Sequence, residues 1–270
     1  MNPHPHVKLF TQVDHSQDPD FFVRFMDETQ KLIGIQASKR IMLERIALSP
    51  GEAVLEVGCG PGTDVFDLID LVGPTGRLVG LDASEVMIAE ARRRAEARGA
   101  PAPITFVVGE AQALPFPDES FDVCRAARLL EHVPDTAQVL AEMVRVTRPG
   151  GRILVFDIDW DTLIIDHPDK DTTRTFVSSH ADSIRNGWIG RQLPRLFTEQ
   201  RLEVRSLDPV QVFVHYAMAE LAFGSHLAFL QTNGVLSAAR AQQWWEYLRQ
   251  ADAQGTLLIS FTSFIVVGGK

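Results

Sequence analysis

Residues 53–63 read Ala-Val-Leu-Glu-Val-Gly-Cys-Gly-Pro-Gly-Thr, and Asp82 follows 20 positions after Gly62. Gly58, Gly60 and Gly62 allow a tight turn in which backbone can touch a ligand. Thr63 opens a helix whose unsatisfied N–H groups favour an anion. An acid about 20 residues on, at the end of the next strand, is placed to hold ribose hydroxyls. The combination points to a nucleotide-type ligand. Dinucleotide folds use G-x-G-x-x-G, with the last glycine packing helix on strand near a pyrophosphate. Here the order is Glu56-x-Gly58-x-Gly60-x-Gly62, which argues against a nicotinamide oxidoreductase.

Further chemistry-bearing residues lie at Glu110-Ala111, Arg125–His132 and Asp157–Trp160. His132 titrates near neutrality and suits a general base, or it packs and hydrogen-bonds to hold its loop. Asp157, Asp159 and Asp161 alternate along an extended run, so they need not converge as a hard cation requires. Pairing with Arg125, Arg128 or Arg185, or solvation, is the expected role. His4, His6 and His15 lie near the N-terminus and do not form a metal pattern, and no metal is expected.

The elements that position these residues follow from periodicity. Apolar runs at 52–57, 77–82, 104–108, 121–125 and 152–156 read as strands. Between them, a helix is expected from Thr63 to about Leu71. A second is capped by Ser84 and stopped by Gly99, and a third runs from Asp135 to about Val146. Strands alternating with such helices imply a doubly wound, mostly parallel sheet. Ligands of such sheets sit beyond the carboxyl ends of the strands, where all the residues above fall. Residues 18–47 read as amphipathic helix. Residues 203–214 and 256–267 read as strands, with helix over 215–254.

At 270 residues and 45% apolar, the chain has material for a sizeable core. It has no apolar stretch of membrane-spanning length. Two cysteines, Cys59 and Cys124, fit a reducing cytoplasm. A net charge of −9 argues against a nucleic-acid partner. The basic run Arg92-Arg93-Arg94 reads as a solvated helix face.

The residues Glu56–Thr63, Gly80-Leu-Asp82-Ala-Ser84, Gly109-Glu-Ala-Gln-Ala-Leu-Pro-Phe116, Leu130-Glu-His-Val133 and Arg148-Pro-Gly-Gly151 carry a family resemblance over roughly residues 40–158. The chain resembles class I S-adenosylmethionine methyltransferases, in particular the small-molecule group of ubiquinone and menaquinone C-methyltransferases. The resemblance implies a seven-stranded Rossmann-like methyltransferase fold with helical cap insertions. Its cofactor would be S-adenosylmethionine, leaving as S-adenosylhomocysteine. It places the cofactor against Glu56, Gly58, Gly60, Gly62, Thr63, Asp82, Ala83, Glu110, Ala111 and Arg128. Asp82 would take the ribose hydroxyls, and Glu110 with the Ala111 N–H the adenine edge. Glu56 either anchors the glycine loop or faces the ligand amine. The family shares His132 among enzymes with different acceptors, which favours its supporting role over that of base.

The implied reaction is methyl transfer to carbon, oxygen or nitrogen of a small-molecule acceptor. Rival readings are a protein-directed methyltransferase and a non-catalytic S-adenosylmethionine-binding regulator. The Asn/Asp-Pro-Pro-Tyr/Phe motif of DNA amino-methylating enzymes is replaced by Arg125-Ala-Ala-Arg128. The expected organisation is a helical lid over 1–47 and a catalytic domain over 48–270, with cap insertions at about 161–202 and 215–254. Trp188, Arg191, Arg185 and Phe22 are the expected acceptor contacts, and His180 is an alternative base from the cap.

Overall fold

Short β-branched and aliphatic runs become strands buried on both faces. In β1 (Ala53–Val57), Val54, Leu55 and Val57 are all buried, as a central parallel strand requires. β2 (Arg77–Asp82), β3 (Ile104–Val108), β4 (Phe121–Ala127) and β5 (Thr147–Ile165) join it in parallel. With β6 (Glu203–Phe213) and β7 (Ile259–Gly269) they form one seven-stranded sheet of order β3-β2-β1-β4-β5-β7-β6. β7 runs antiparallel to both its neighbours. The computed structural model describes Phe10, residues 12–99 and residues 104–270; His4 and His6 lie outside the described residues.

Local chemistry ends the helices where the sequence expects. α5 (Glu85–Arg98) is capped by the Ser84 hydroxyl and stopped by Gly99 in the left-handed region, and α6 (Thr136–Val146) is capped by Asp135. The N-terminal helical stretch is two elements, α1 (Pro19–Gln30) and α2 (Ile33–Ile46). The single helix expected after the glycine loop is also two, α3 (Thr63–Phe66) and α4 (Ile69–Val72). The break falls where Lys39 of α2 draws in both Asp64 and Asp67, at 2.8 and 2.7 Å.

β5 extends nine residues past the expected Phe156, because β7 pairs with it as far as Ile165. α7 (Lys170–Ser183) and α8 (Ile189–Glu199) precede β6, and α9 (Tyr216–Thr232) and α10 (Ala238–Ala253) join β6 to β7. α6 and α8 share one core cluster, packed on Leu55, Val57, Cys124 and Val155. α2, α7, α9 and α10 share the other, around Phe156, Phe176, Phe223 and Trp244. Their strand residues alternate, so the two clusters lie on opposite faces of the sheet.

Candidate active site

The glycine loop after β1 is held by the strand beside it. Gly58 N and Cys59 N donate to the Leu81 carbonyl at 2.7 and 2.9 Å. Gly60 N donates to one Asp82 oxygen at 2.8 Å, and Ser84 N donates to the other at 2.9 Å. Each carboxylate oxygen therefore keeps acceptor capacity toward the cavity that Asp82 lines. Burial raises the Asp82 pKa above its ordinary value, against the lowering effect of these N–H groups. Gly60 has φ +50°, and a Cβ there would sit 3.0 Å from Met26 Sδ. Gly62 has φ +80°, and its missing Cβ makes room for the Phe106 ring at 3.0 Å.

Beneath the loop, Glu56 faces Arg125 across the β1–β4 pair, with Nε and Oε2 2.6 Å apart and both side chains buried. Burial pushes the Glu56 carboxyl up to about 8 while Arg125 pulls it down. Asp64, on the cavity wall, is raised by burial but held below its ordinary range overall by Lys39, Arg128 and Arg125.

The turn after β4 supplies the next wall. Arg128 lines the cavity with φ +57°, a costly conformation for a non-glycine residue, and its N–H donates to Phe156 O at 2.6 Å. Glu131 accepts from the Trp160 indole N–H, and His132 Nε2 lies 3.6 Å from its other oxygen. The His132 ring stacks on Phe10 with centroids 5.2 Å apart, and burial lowers its pKa. Asn186 clamps this turn: its side chain donates to Leu130 O and Val133 O at 2.7 and 2.8 Å.

One cavity of about 410 Å³ joins these parts, a size suited to small ligands. It runs over the strand ends from Gly109–Gln112 after β3 to Val214 after β6. At the β3–β4 side its walls carry the glycine loop, Asp82, Ala83, Glu110 and Arg128. At the β5–β6 side they are Trp160, His180, Met218, Phe223 and Phe261. Phe21, Phe25 and Met26 of α1 close it from the N-terminal side.

A family model for a methyltransferase domain matches residues 48–201. The chain belongs to the methyltransferase domain family. A 37.1 kDa protein of transposon TN4556 from Streptomyces fradiae is 38% identical over 273 residues, 98% of this chain and 75% of that one. Demethylmenaquinone methyltransferase of Lactococcus lactis subsp. lactis is 36% identical over 166 residues, 58% of this chain and 65% of that enzyme. This methyltransferase thus spans less than two thirds of that quinone enzyme's length. The solved structure of a Bacillus halodurans C-125 protein, 19% identical with a TM-score of 0.63, covers 87% of this chain and 99% of that one and shares its fold.

The methyltransferase takes S-adenosylmethionine as its cofactor. The donor set fits that molecule: Asp82 with acceptor capacity facing the cavity, a guanidinium at Arg128, and glycine backbone where a Cβ would project.

Of the expected cofactor residues, Gly58, Gly60, Thr63, Asp82, Ala83, Glu110, Ala111 and Arg128 line the cavity. Gly62 lies beneath the loop against Phe106, and Glu56 is buried on Arg125. Glu56 thus lies outside the cavity lining, with its carboxylate against Arg125 of β4.

The structure does not bring the expected acceptor contacts to the cavity wall. α8 sits on the α6 face of the sheet, so Trp188 at its start is 50% exposed and lies under the Arg191 guanidinium. Arg191 is committed to Asp159, and its Nη2 lies 3.3 Å from Asp161. Arg185 is exposed outside the lining. Phe22 is buried against Phe10, while Phe21 and Phe25, one helical turn apart, line the cavity instead. Asp157 accepts from Leu130 N at 2.8 Å, and its pKa is pushed well up by burial and by Glu131. None of the three acids finds the arginines expected for it.

Two connections were missed. Asp14 accepts from the Ser84 hydroxyl and from Glu85 N and Val86 N, doubling the cap on α5. Arg94, expected to be solvated, ties Asp27 of α1 to Glu90, with Thr63 Oγ1 at 3.3 Å. A sequence signal existed for Asp14, an acid near the chain start, but nothing assigned it to a helix 70 residues away.

Proposed function

We propose that this enzyme methylates a small, largely apolar, ring-bearing acceptor of quinol type, held beside the cofactor under the lid and cap. The observation that carries this reading is the continuity of one cavity from the glycine loop to an aromatic end walled by Trp160, Phe223 and Phe261. The naming of a relative as a demethylmenaquinone methyltransferase supports the acceptor class.

In this reading the Gly58–Gly60 backbone and Arg128 take the methionine half, Arg128 binding its carboxylate. Asp82 accepts from both ribose hydroxyls, and Glu110 with the Ala111 N–H takes the adenine edge. Bound S-adenosylmethionine supplies a methyl group activated on a sulfonium. The protein contributes alignment for in-line displacement and exclusion of water, with α1 and Phe10 covering one side and α9 another. His132, stacked on Phe10 and beside Glu131, holds the turn that carries Arg128.

The test is turnover with S-adenosylmethionine and 1,4-naphthoquinol, read as S-adenosylhomocysteine and a methylated naphthoquinol by mass spectrometry. A histone-tail peptide serves as the contrasting acceptor. Methylation of the peptide and not the quinol refutes the reading, and S-adenosylhomocysteine binding with no transfer to either favours a non-catalytic role.

A further inference from the structure

We infer that His180 is the catalytic base at the acceptor end of the cavity, and that the acceptor therefore carries an ionisable hydroxyl on an aromatic or enolic frame. The inference rests on the proposed reading of that end as the acceptor chamber.

The sheet order divides the cavity. The cofactor-binding strand ends are those of β3, β2, β1 and β4, so the acceptor lies over β5, β7 and β6. The walls there are apolar and aromatic: Ile158, Trp160, Met218, Leu221, Phe223 and Phe261. His180, on α7, is the imidazole among them. The other titratable groups of the lining are placed differently. Cys59, Asp64, Asp82, Glu110 and Arg128 stand at the cofactor end, and Glu131 is engaged by the Trp160 indole. His132 is stacked under Phe10 at the lid.

The orientation of His180 is fixed by rings on several sides. Phe176 lies parallel to it at 5.8 Å, and Trp160 and Phe223 meet it edge-on at 4.9 and 5.0 Å. Its ring also meets the His226 ring of α9 at 5.2 Å, and the Trp160 indole beside it donates to Glu131. Such a box holds an imidazole in one place, as a base in an apolar site must be held.

Apolar surroundings raise the pKa of a buried phenol, so an acceptor hydroxyl here stays protonated unless a base takes its proton. His180 accepts that proton on a ring nitrogen. The electron pair freed on oxygen, or on a ring carbon conjugated to it, forms the bond to the methyl carbon. The carbon–sulfur bond breaks and its pair stays on sulfur. On the carbon route, the ring carbon then releases its hydrogen as a proton while His180 returns its own to the oxygen. Either way one proton leaves per methyl transferred.

The experiment uses 4-nitrophenol, whose phenolate is coloured, bound to the full-length protein with S-adenosylhomocysteine. In wild type the bound probe shows the phenolate band at neutral pH. In His180→Phe, which keeps an aromatic shape, and in His180→Asn it shows the neutral phenol band. Turnover of 1,4-naphthoquinol falls by about a hundredfold or more in both His180 variants, within the usual range for losing a general base, with S-adenosylhomocysteine affinity unchanged. Bound phenolate persisting in the His180 variants overturns the assignment while leaving the chamber reading intact. A neutral bound phenol in wild type does the same. S-adenosylhomocysteine binding with no binding of either aromatic overturns the acceptor-chamber reading itself, and this inference with it.

Discussion

Asp82→Asn separates the two tasks of that carboxylate. Its oxygens accept from Gly60 N at 2.8 Å and from Ser84 N at 2.9 Å. An amide has one oxygen, so its NH2 group must face one of these N–H donors, and that donor loses its partner. Hydrogen bonds to a charged group contribute about 1.5–3 kcal/mol each. The free protein should therefore lose roughly that much stability, since Gly60 is buried. Binding loses a further bond of the same kind, because the NH2 group cannot accept from a ribose hydroxyl. At about 1.4 kcal/mol per factor of ten, affinity for S-adenosylhomocysteine falls by about tenfold to 150-fold. Calorimetric titration measures this, with thermal unfolding reporting stability. Ser84→Ala is the control. It removes the cap on Met87 N and the hydroxyl donated to Asp14 but leaves the Ser84 N–H on Asp82, so it should cost about 1–2 kcal/mol of stability and little affinity. Wild-type affinity should also weaken on acidification, because protonating Asp82 removes the same acceptors. The onset should lie above the ordinary aspartate range, because burial raises this pKa, and Asp82→Asn should lack that dependence. A folded Asp82→Asn protein that binds as tightly as wild type would refute the ribose assignment and leave Asp82 as a loop brace.

Gly60→Val combines a β-branched residue at φ +50° with a Cβ 3.0 Å from Met26 Sδ; S-adenosylhomocysteine binding should vanish in calorimetry while the far-ultraviolet circular dichroism of the fold persists. His132→Asn should reduce naphthoquinol turnover by less than a hundredfold and weaken cofactor binding with it; a clean loss of turnover alone would make His132 the base. Burial depresses the His132 pKa, so the unfolded chain binds this proton first and stability falls as pH drops below about 6.5. Denaturant titrations of wild type and His132→Asn between pH 7 and 5 should differ in slope by up to about 1.4 kcal/mol per pH unit, the variant being the flatter. Asp14→Ala removes a carboxylate that bonds Ser84 Oγ, Glu85 N and Val86 N; it should cost about 1–2 kcal/mol, and limited proteolysis should then cut near residue 15 faster than in wild type.

The glycine-loop end of the candidate cavity was legible in the sequence because its chemistry is local. Glycine spacing, the strand before it and the acid after the next strand each act over a few residues, and the β1–β2 pairing brings Asp82 to Gly60 with no further information needed. The caps at Ser84 and Asp135, the stop at Gly99 and the alternation of strand and helix are local in the same way, so a mostly parallel sheet with a cavity at its strand ends followed. The aromatic end of the cavity was decided by tertiary structure. Trp188 and Arg191 follow β5 closely, yet α8 crosses to the α6 face and Arg191 is taken by Asp159. Phe21, Phe25, Met218 and Phe223 carry the same helical periodicity whether they fill a core or wall a cavity, since both burials need apolar residues on one stripe. Only the packing of α1, α7 and α9 over the sheet separates the two outcomes. Pairings such as Asp14 with α5 and Asp27 with Arg94 join residues 67 to 72 positions apart, and no sequence period encodes a partner at that distance.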